Sequence, residues 1–316
     1  MTDNKPNLLV SLGGNAILKY TEKGTAKEQF ENVKKTSEYI VELITEGYHI
    51  ALTHGNGPQV GDILLAYDCA KEILPPMPLD VCGAQSQGMI GYMFQQSLKN
   101  ILQEKQIDKT VVTILTQAMI DPDDPQLENP TKPIGPFYTA LEAVKLRNEK
   151  KWTIEDDSGR GFRRLVPSPR PRGFAEAGCI KTLFDTGDLV IASGGGGIPV
   201  IIKDGVLQGI ECVIDKDYAA SILATLLDVE ILLILTDVEK IALYYGTPQK
   251  KDLDKINLEE ANQYLEEGHF PAGSMGPKVR SAISFLENGG EKVVVTSLES
   301  AMDALKGKAG TVITVD

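Results

Sequence analysis

The stretch Asn7-Leu-Leu-Val-Ser-Leu-Gly-Gly-Asn-Ala16 reads as a short apolar strand that stops abruptly at glycine. A run too short for a helix, apolar at nearly every position and closed by glycine, is the pattern of a strand buried on both faces of a parallel sheet. Similar runs recur at residues 49–53, 110–115, 188–192, 231–236, 292–296 and 311–315. Between most of them lie longer segments of helical period. Val60, Ile63, Leu64, Tyr67, Ala70, Lys71 and Leu74, for example, are spaced three and four residues apart with the lysine at the edge of the stripe. Alternating strands and helices predict an α/β fold, a mainly parallel open sheet with helices on both faces.

Two segments interrupt this alternation. Residues 121–172 hold eight of the 17 prolines, including those of Asn129-Pro-Thr-Lys-Pro-Ile-Gly-Pro136 and Pro167-Ser-Pro-Arg-Pro171, and so much proline is foreign to core strands and helix interiors. Residues 137–150 nevertheless read as helical, and Trp152 is the only tryptophan. The expectation is a small inserted lid subdomain at 121–172 within a single domain spanning 1–316. In residues 199–214, two apolar runs flank Asp204-Gly205, which favours a hairpin with a type I′ turn.

Composition narrows the functional classes. The chain has 316 residues, 42% hydrophobic and 24% charged, and no apolar run approaches the roughly 18–20 residues of a membrane span. Met-Thr-Asp-Asn-Lys-Pro-Asn leads straight into Leu8-Leu-Val10 without a basic leader and apolar secretion segment, which predicts a cytoplasmic protein. A net charge of -12 argues against nucleic acid as partner. The basic cluster Arg160, Arg163, Arg164, Arg170 and Arg172 reads as a solvated loop or a local anion patch. Cys69, Cys82, Cys179 and Cys212 are scattered, form no zinc-ligand pattern with the three histidines, and read as small buried residues; no metal cluster is expected.

Four segments are rich in glycine: Ser11-Leu-Gly-Gly-Asn-Ala16, Thr53-His-Gly-Asn-Gly-Pro-Gln-Val-Gly61, Ser193-Gly-Gly-Gly-Gly-Ile-Pro199 and Ala272-Gly-Ser-Met-Gly-Pro-Lys278. In open parallel sheets, ligands bind beyond the carboxyl ends of the strands, where glycine lets backbone amides approach an anion. One such loop is usually only a turn; four together predict a phosphate cradle. Neither the P-loop nor the dinucleotide fingerprint is present. Asn15 and Asn56 sit inside two of the loops, either to donate to a ligand or because asparagine tolerates positive φ.

Phosphoryl transfer needs fixed positive charge and in-line positioning more than covalent chemistry. Lys216, in Val213-Ile-Asp-Lys-Asp-Tyr-Ala-Ala220, and Lys278, after Gly276-Pro277, each stand at a predicted helix start. A cation there opposes the helix dipole unless an anion lies between them. Asp217 is placed to orient Lys216, and Lys132 lies between Pro130 and Pro133 in the lid. Thr236, Asp237 and Val238 end a buried strand at the functional edge and are expected to border a nucleotide. Gly195, Gly196, Met275 and Gly276, in the two remaining glycine segments, join them as nucleotide-binding candidates. His49 reads as the start of a strand, and His54 adjoins the second glycine loop.

Taken together, Leu12-Gly-Gly-Asn-Ala16, Gly55-Asn-Gly-Pro-Gln-Val-Gly61, residues 77–88, Thr131-Lys132-Pro133, Pro167-Ser-Pro-Arg-Pro171, Gly194-Gly-Gly-Gly-Ile-Pro199, Ile214-Asp-Lys-Asp217 and Gly273-Ser-Met-Gly-Pro-Lys278 resemble the amino acid kinase family, and within it the carbamate kinases. The resemblance implies a three-layer αβα fold, a homodimer, and reversible phosphate transfer between ATP and carbamate through carbamoyl phosphate, in arginine breakdown. It implies that Lys216 and Lys278 stabilise the moving phosphoryl group and that Asp217 orients them. Gly13, Gly14 and Asn15 would meet the phosphoryl group, Gly55, Asn56 and Gly57 the carbamate, and Lys132 would reach in from the lid. Mg2+ would arrive on the ATP or ADP phosphates. A kinase of acetylglutamate, glutamate or aspartate, or a non-catalytic nucleotide-binding regulator, is the competing expectation.

Overall fold

The computed structural model describes residues 5–19, 21–157, 159, 161–270 and 275–316. Arg160 of the basic cluster and Ala272, Gly273 and Ser274 of the fourth glycine segment lie outside the described residues.

Strand β1 (Asn7–Leu12) leads to α1 (Ala26–Thr45) and β2 (His49–His54); α2 (Gly57–Ala70) and α3 (Leu79–Glu104) precede β3 (Val111–Thr113) and β4 (Gln117–Ile120). Next come β5 (Lys132–Tyr138), α4 (Ala140–Lys150), β6 (Thr153–Asp156), β7 (Phe162–Val166) and β8 (Pro171–Phe174). They are followed by α5 (Ala177–Asp185), β9 (Leu189–Ile191), β10 (Ile198–Lys203), β11 (Val206–Gly209), α6 (Lys216–Leu227) and β12 (Ile231–Thr236). The chain closes with β13 (Ala242–Leu243), β14 (Lys251–Asp252), β15 (Lys255–Asn257), α7 (Leu258–Glu266), α8 (Met275–Glu287), β16 (Lys292–Ser297), α9 (Ala301–Leu305) and β17 (Thr311–Thr314).

The main sheet has eight strands in the order β15-β17-β16-β12-β1-β2-β9-β3. Neighbours run parallel except β16 and β17. Period-two side chains of β1 supply both faces: Leu8, Val10 and Leu12 pack with Val33 and Ile40 of α1 and Phe94 of α3, whereas Leu9 packs with Leu223 of α6 and Ala282 of α8. Each buried leucine contributes roughly 1.5–3 kcal/mol. The result is three layers, helix, sheet, helix, as the alternation predicts. Capping boxes fix several helix starts, with Thr25 and Glu28 for α1, Thr139 and Glu142 for α4, and Asn257 and Glu260 for α7.

The hairpin at 199–214 forms as β10 and β11, and its turn residues Asp204 (φ 52°) and Gly205 (φ 78°) are both left-handed, as a type I′ turn requires. β10 also pairs with β4, and β4 with β8, to make a four-stranded second sheet. Between β4 and β8 the proline-rich segment builds a three-stranded antiparallel sheet, β5-β7-β6, with α4 beside it. Pro133 and Pro136 sit in β5, an edge strand, where a missing N–H does not interrupt the sheet interior. Phe137 and Tyr138, expected in the helix, instead end β5, because the Thr139 capping box starts α4 at Ala140. β5 lies close on α2: a Cβ on Gly61 would stand 2.9 Å from Gly135 Cα.

Two expectations are corrected. Cys82 and Cys212 are buried, but Cys69 and Cys179 are exposed, because only one side of α2 and of α5 meets the core. Arg170 and Arg172 are exposed, as a solvated stretch would be, but two other arginines of the cluster are not. Arg163 and Arg164 lie on β7, mostly buried, over the rings of Phe137 (5.2 Å) and Trp152 (4.4 Å), and Arg170 stacks on Tyr218 (4.9 Å). Their aromatic partners come from β5, α6 and the connection between α4 and β6, not from the arginine-rich sequence itself. Among the described residues, no helix is long and apolar enough to cross a membrane.

Candidate active site

The parallel strands deliver their carboxyl ends to one rim, and the glycines continue the ladder one residue further. Gly13 N donates to Leu235 O (3.0 Å) and Gly55 N to Leu12 O (3.1 Å), which sets the two glycine loops side by side. A Cβ on Gly55 would stand 3.4 Å from Lys216 Cδ and 3.6 Å from Gly14 N, so the first two loops and the α6 lysine meet there.

Lys216 is the first residue of α6, and Asp215 is its cap, with Oδ1 accepting from Asp217 N at 2.9 Å. A lysine at this end faces the positive pole of the helix. Asp217 answers it from the same turn: its Oδ1 lies 2.6 Å from Lys216 Nζ and its Oδ2 3.1 Å from Lys278 Nζ, which α8 brings in from the neighbouring position. Ser281 Oγ ties α8 to α6 by donating to the Asp217 carbonyl, and Ser11 Oγ, deep in β1, accepts from Lys216 Nζ at 3.2 Å. Lys132, at the start of β5, pairs with Asp215 Oδ2. Three lysines distant in sequence thus converge on the two aspartates that flank Lys216.

Burial alone would raise the pKa of Asp217, but the ammonium groups of Lys216 and Lys278 outweigh it and hold the carboxyl at about 2. Burial lowers the pKa of Lys216, with Asp217 opposing and Lys278 adding to the fall. His54 is fully buried, and burial, with a smaller push from Lys216, takes it down to about 4. Its Nδ1 lies 2.9 Å from the Gly55 carbonyl, so the neutral ring carries its proton there.

A cavity of about 730 Å3 opens at this rim. Gly13, Gly14, Asn15, Lys216, Thr236, Asp237, Val238, Met275 and Lys278 all line it. Gly276 is buried in the first turn of α8. Gly55, Asn56 and Gly57 lie beside the cavity at the start of α2, and Lys132 beside Asp215, outside that lining. Neither Asn15 nor Asn56 has positive φ, which removes the conformational reading of both; Asn56 has φ −145° and its Nδ2 donates to Ser86 Oγ at 2.8 Å.

A sequence profile of the amino acid kinase family matches residues 8–297. The chain belongs to the amino acid kinase family. Carbamate kinase of Pyrococcus horikoshii is 52% identical over 97% of this chain and 98% of its own length, and that of Pyrococcus furiosus 52% over 96% and 98%. The solved structure of carbamate kinase from Giardia lamblia bound to AMP-PNP superposes with a TM-score of 0.92 at 46% identity, covering 98% of this chain and 99% of the other.

In this amino acid kinase the third glycine loop stands against Asn56, Ile214 and Ala118. Gly195, Gly196 and Gly197 have φ of 66°, 99° and 102°, which glycine adopts without strain. A Cβ on Gly195 would lie 2.2 Å from Asn56 Nδ2, and one on Gly196 2.5 Å from Ile214 O. The loop therefore packs against Asn56 and the approach to α6, and the lining of the cavity that holds Thr236–Val238 does not include it. Sequence reasoning also left out Ser11 and Asp215. The signal for Asp215 is a carboxylate on each side of Lys216; for Ser11 it is the one polar residue inside an otherwise apolar strand.

Proposed function

We propose that this chain is a carbamate kinase, an ATP-dependent phosphotransferase that interconverts ATP plus carbamate with ADP plus carbamoyl phosphate. The observation that carries the chemistry is the single buried carboxylate of Asp217 holding two ammonium groups at the glycine-lined rim. The carbamate kinase relatives, near half identical over almost the whole chain, favour this acceptor over acetylglutamate, glutamate or aspartate.

The carbamate oxygen is already anionic, so its attack on the γ-phosphoryl group needs no general base. Lys216 and Lys278 offset the charge of the phosphoryl oxygens, and because Asp217 already holds them in place they reorganise little as transfer proceeds. Gly13, Gly14 and Asn15, on the cavity wall beside both lysines, are assigned to the phosphoryl group, and Thr236, Asp237, Val238 and Met275 to the nucleotide. Gly276 backs Met275, and Gly195, against Asn56, with Gly196, against Ile214, supports the acceptor end where Gly55, Asn56 and Gly57 lie. Lys132 enters from the inserted 121–172 unit, which acts as a lid.

Mg2+ fits as a passenger of the nucleotide. It keeps most of its water and takes one or two carboxylates, and the cavity wall offers the exposed Asp237 while Asp217 is held by the lysines. Bound there, it would neutralise phosphate charge. A cytoplasmic homodimer working in arginine breakdown completes the proposal, on the likeness to the carbamate kinases.

The test is to incubate the folded protein with ADP, Mg2+ and carbamoyl phosphate. ATP should form; none above the uncatalysed background ends the proposal. A panel of acetylglutamate, glutamate and aspartate with ATP tests the sister activities.

A further inference from the structure

Helix α3 carries a buried hydroxyl to which no role above is given. Ser86 is fully buried, its Oγ–H donates to Gly83 O at 2.6 Å, and the same oxygen accepts from Asn56 Nδ2 at 2.8 Å. With its one proton committed to Gly83, the hydroxyl offers Asn56 a lone pair only. Turned over, the Asn56 amide would set Oδ1 against that lone pair, and relief would strip the proton from Gly83. Asn56 heads α2, but its side chain makes no capping hydrogen bond, so the helix start does not fix it. The Gly195 backbone is so close to the amide that a Cβ there would lie 2.2 Å from Nδ2, 2.3 Å from Cγ and 2.6 Å from Oδ1. A hydroxyl and a glycine confine the amide.

We propose that Ser86 is a positioning residue that sets the orientation of the Asn56 amide and, through it, selectivity for a carbamoyl over an acyl group. The inference rests on the carbamate kinase reading. An amide held this way keeps a second N–H and its Oδ1 to offer a ligand. Carbamate and the carbamoyl group carry the matching pair, an oxygen that accepts and an amino group that donates. Acetate and acetyl phosphate carry a methyl group in place of the amino group, and would leave Oδ1 facing carbon. A site built to hydrogen-bond an N–H rejects the analogue lacking it because its own polar atom is left unpaired.

The experiment compares ATP formation from ADP with carbamoyl phosphate and with acetyl phosphate, in wild type and Ser86→Ala. This substitution removes one oxygen and adds no volume. Losing one oriented hydrogen bond should raise KM for carbamoyl phosphate about tenfold and lower the carbamoyl-to-acetyl preference by about the same factor, with KM for ADP unchanged. Ser86→Thr, which keeps the hydroxyl, should retain the preference. In an Asn56→Ala background, Ser86→Ala should change nothing further. An unchanged preference in Ser86→Ala, or full additivity with Asn56→Ala, overturns the inference. Wild-type protein unable to make ATP from carbamoyl phosphate would instead overturn the function proposed above.

Discussion

Asp217→Asn removes one negative charge and almost no volume, so its effect reports on charge alone. The carboxylate is 4% exposed and lies 2.6 and 3.1 Å from two ammonium nitrogens. Removing one partner of a buried ion pair costs about 3–5 kcal/mol, since the remaining charge is left without compensation. The upper end has a physical ceiling: at neutral pH an unperturbed lysine gives up its proton for about 5 kcal/mol, and one already lowered for less. Lys216 is such a lysine. The variant should therefore lose about 3–5 kcal/mol, and with 316 residues each contributing about 2.1 cal/mol/K to the unfolding entropy this lowers Tm by about 5–8 °C. Turnover should fall further than stability, because deprotonated Lys216 no longer offsets phosphoryl charge, and the residual activity should fade as pH rises. Calorimetry at neutral pH and a coupled ATP assay across pH read both effects. A Tm and a kcat equal to wild type would refute the account of Asp217 as the anion that holds the two lysines.

Lys216→Ala and Lys278→Ala should each raise the barrier by about 2–4 kcal/mol, seen in kcat, with the double variant less than additive because both lysines share Asp217. The depressed Asp217 adds stability at any pH above about 4, where the unfolded chain is also ionised, and that stability is lost as pH falls toward 2; a shift from 3.8 to about 2 corresponds to roughly 2 kcal/mol. Urea unfolding of wild type should therefore weaken between pH 4 and pH 2, and the gap to Asp217→Asn should narrow over the same interval. Gly195→Ala forces a side chain onto a φ of 66° and onto Asn56, so KM for carbamoyl phosphate should rise while KM for ADP holds.

Much of the fold was legible because burial on two faces writes itself into composition. Leu8, Leu9 and Val10, or Ile231 through Leu235, admit no polar residue where helices cover both sides of the sheet. The type I′ turn at Asp204-Gly205 was legible for a local reason, as both residues accept left-handed φ. Proline marked the inserted unit, but its three-stranded sheet was not legible, because it is short, edge-rich and held partly by stacked arginines. Arg164 finds Trp152 only once β6 and β7 are aligned, and no local window contains that pairing. At the site, Lys216 and Asp217 were readable as neighbours. That Lys278 shares the same carboxylate, that Lys132 meets Asp215, and that Gly195 faces Asn56 are products of packing between α6, α8, β5 and the third glycine loop.

The position of Lys216 explains why that packing matters. A lysine opening a helix is a local misfit, and two more ammonium groups beside it deepen the misfit; Asp215 and Asp217 answer it. Among the described residues, three ammonium groups meet two carboxylates there, and under the proposed function a transferring phosphoryl group adds its own negative charge beside them. The same carboxylates keep the ammonium groups in place before the substrate arrives, so their orientation is settled by folding and does not have to be gained during transfer. Because Asp215 both caps α6 and pairs with Lys132, the start of the helix and the start of β5 share one carboxylate. A displacement of β5 that breaks the Lys132 pair therefore changes the surroundings of the carboxylate that caps α6 beside Lys216.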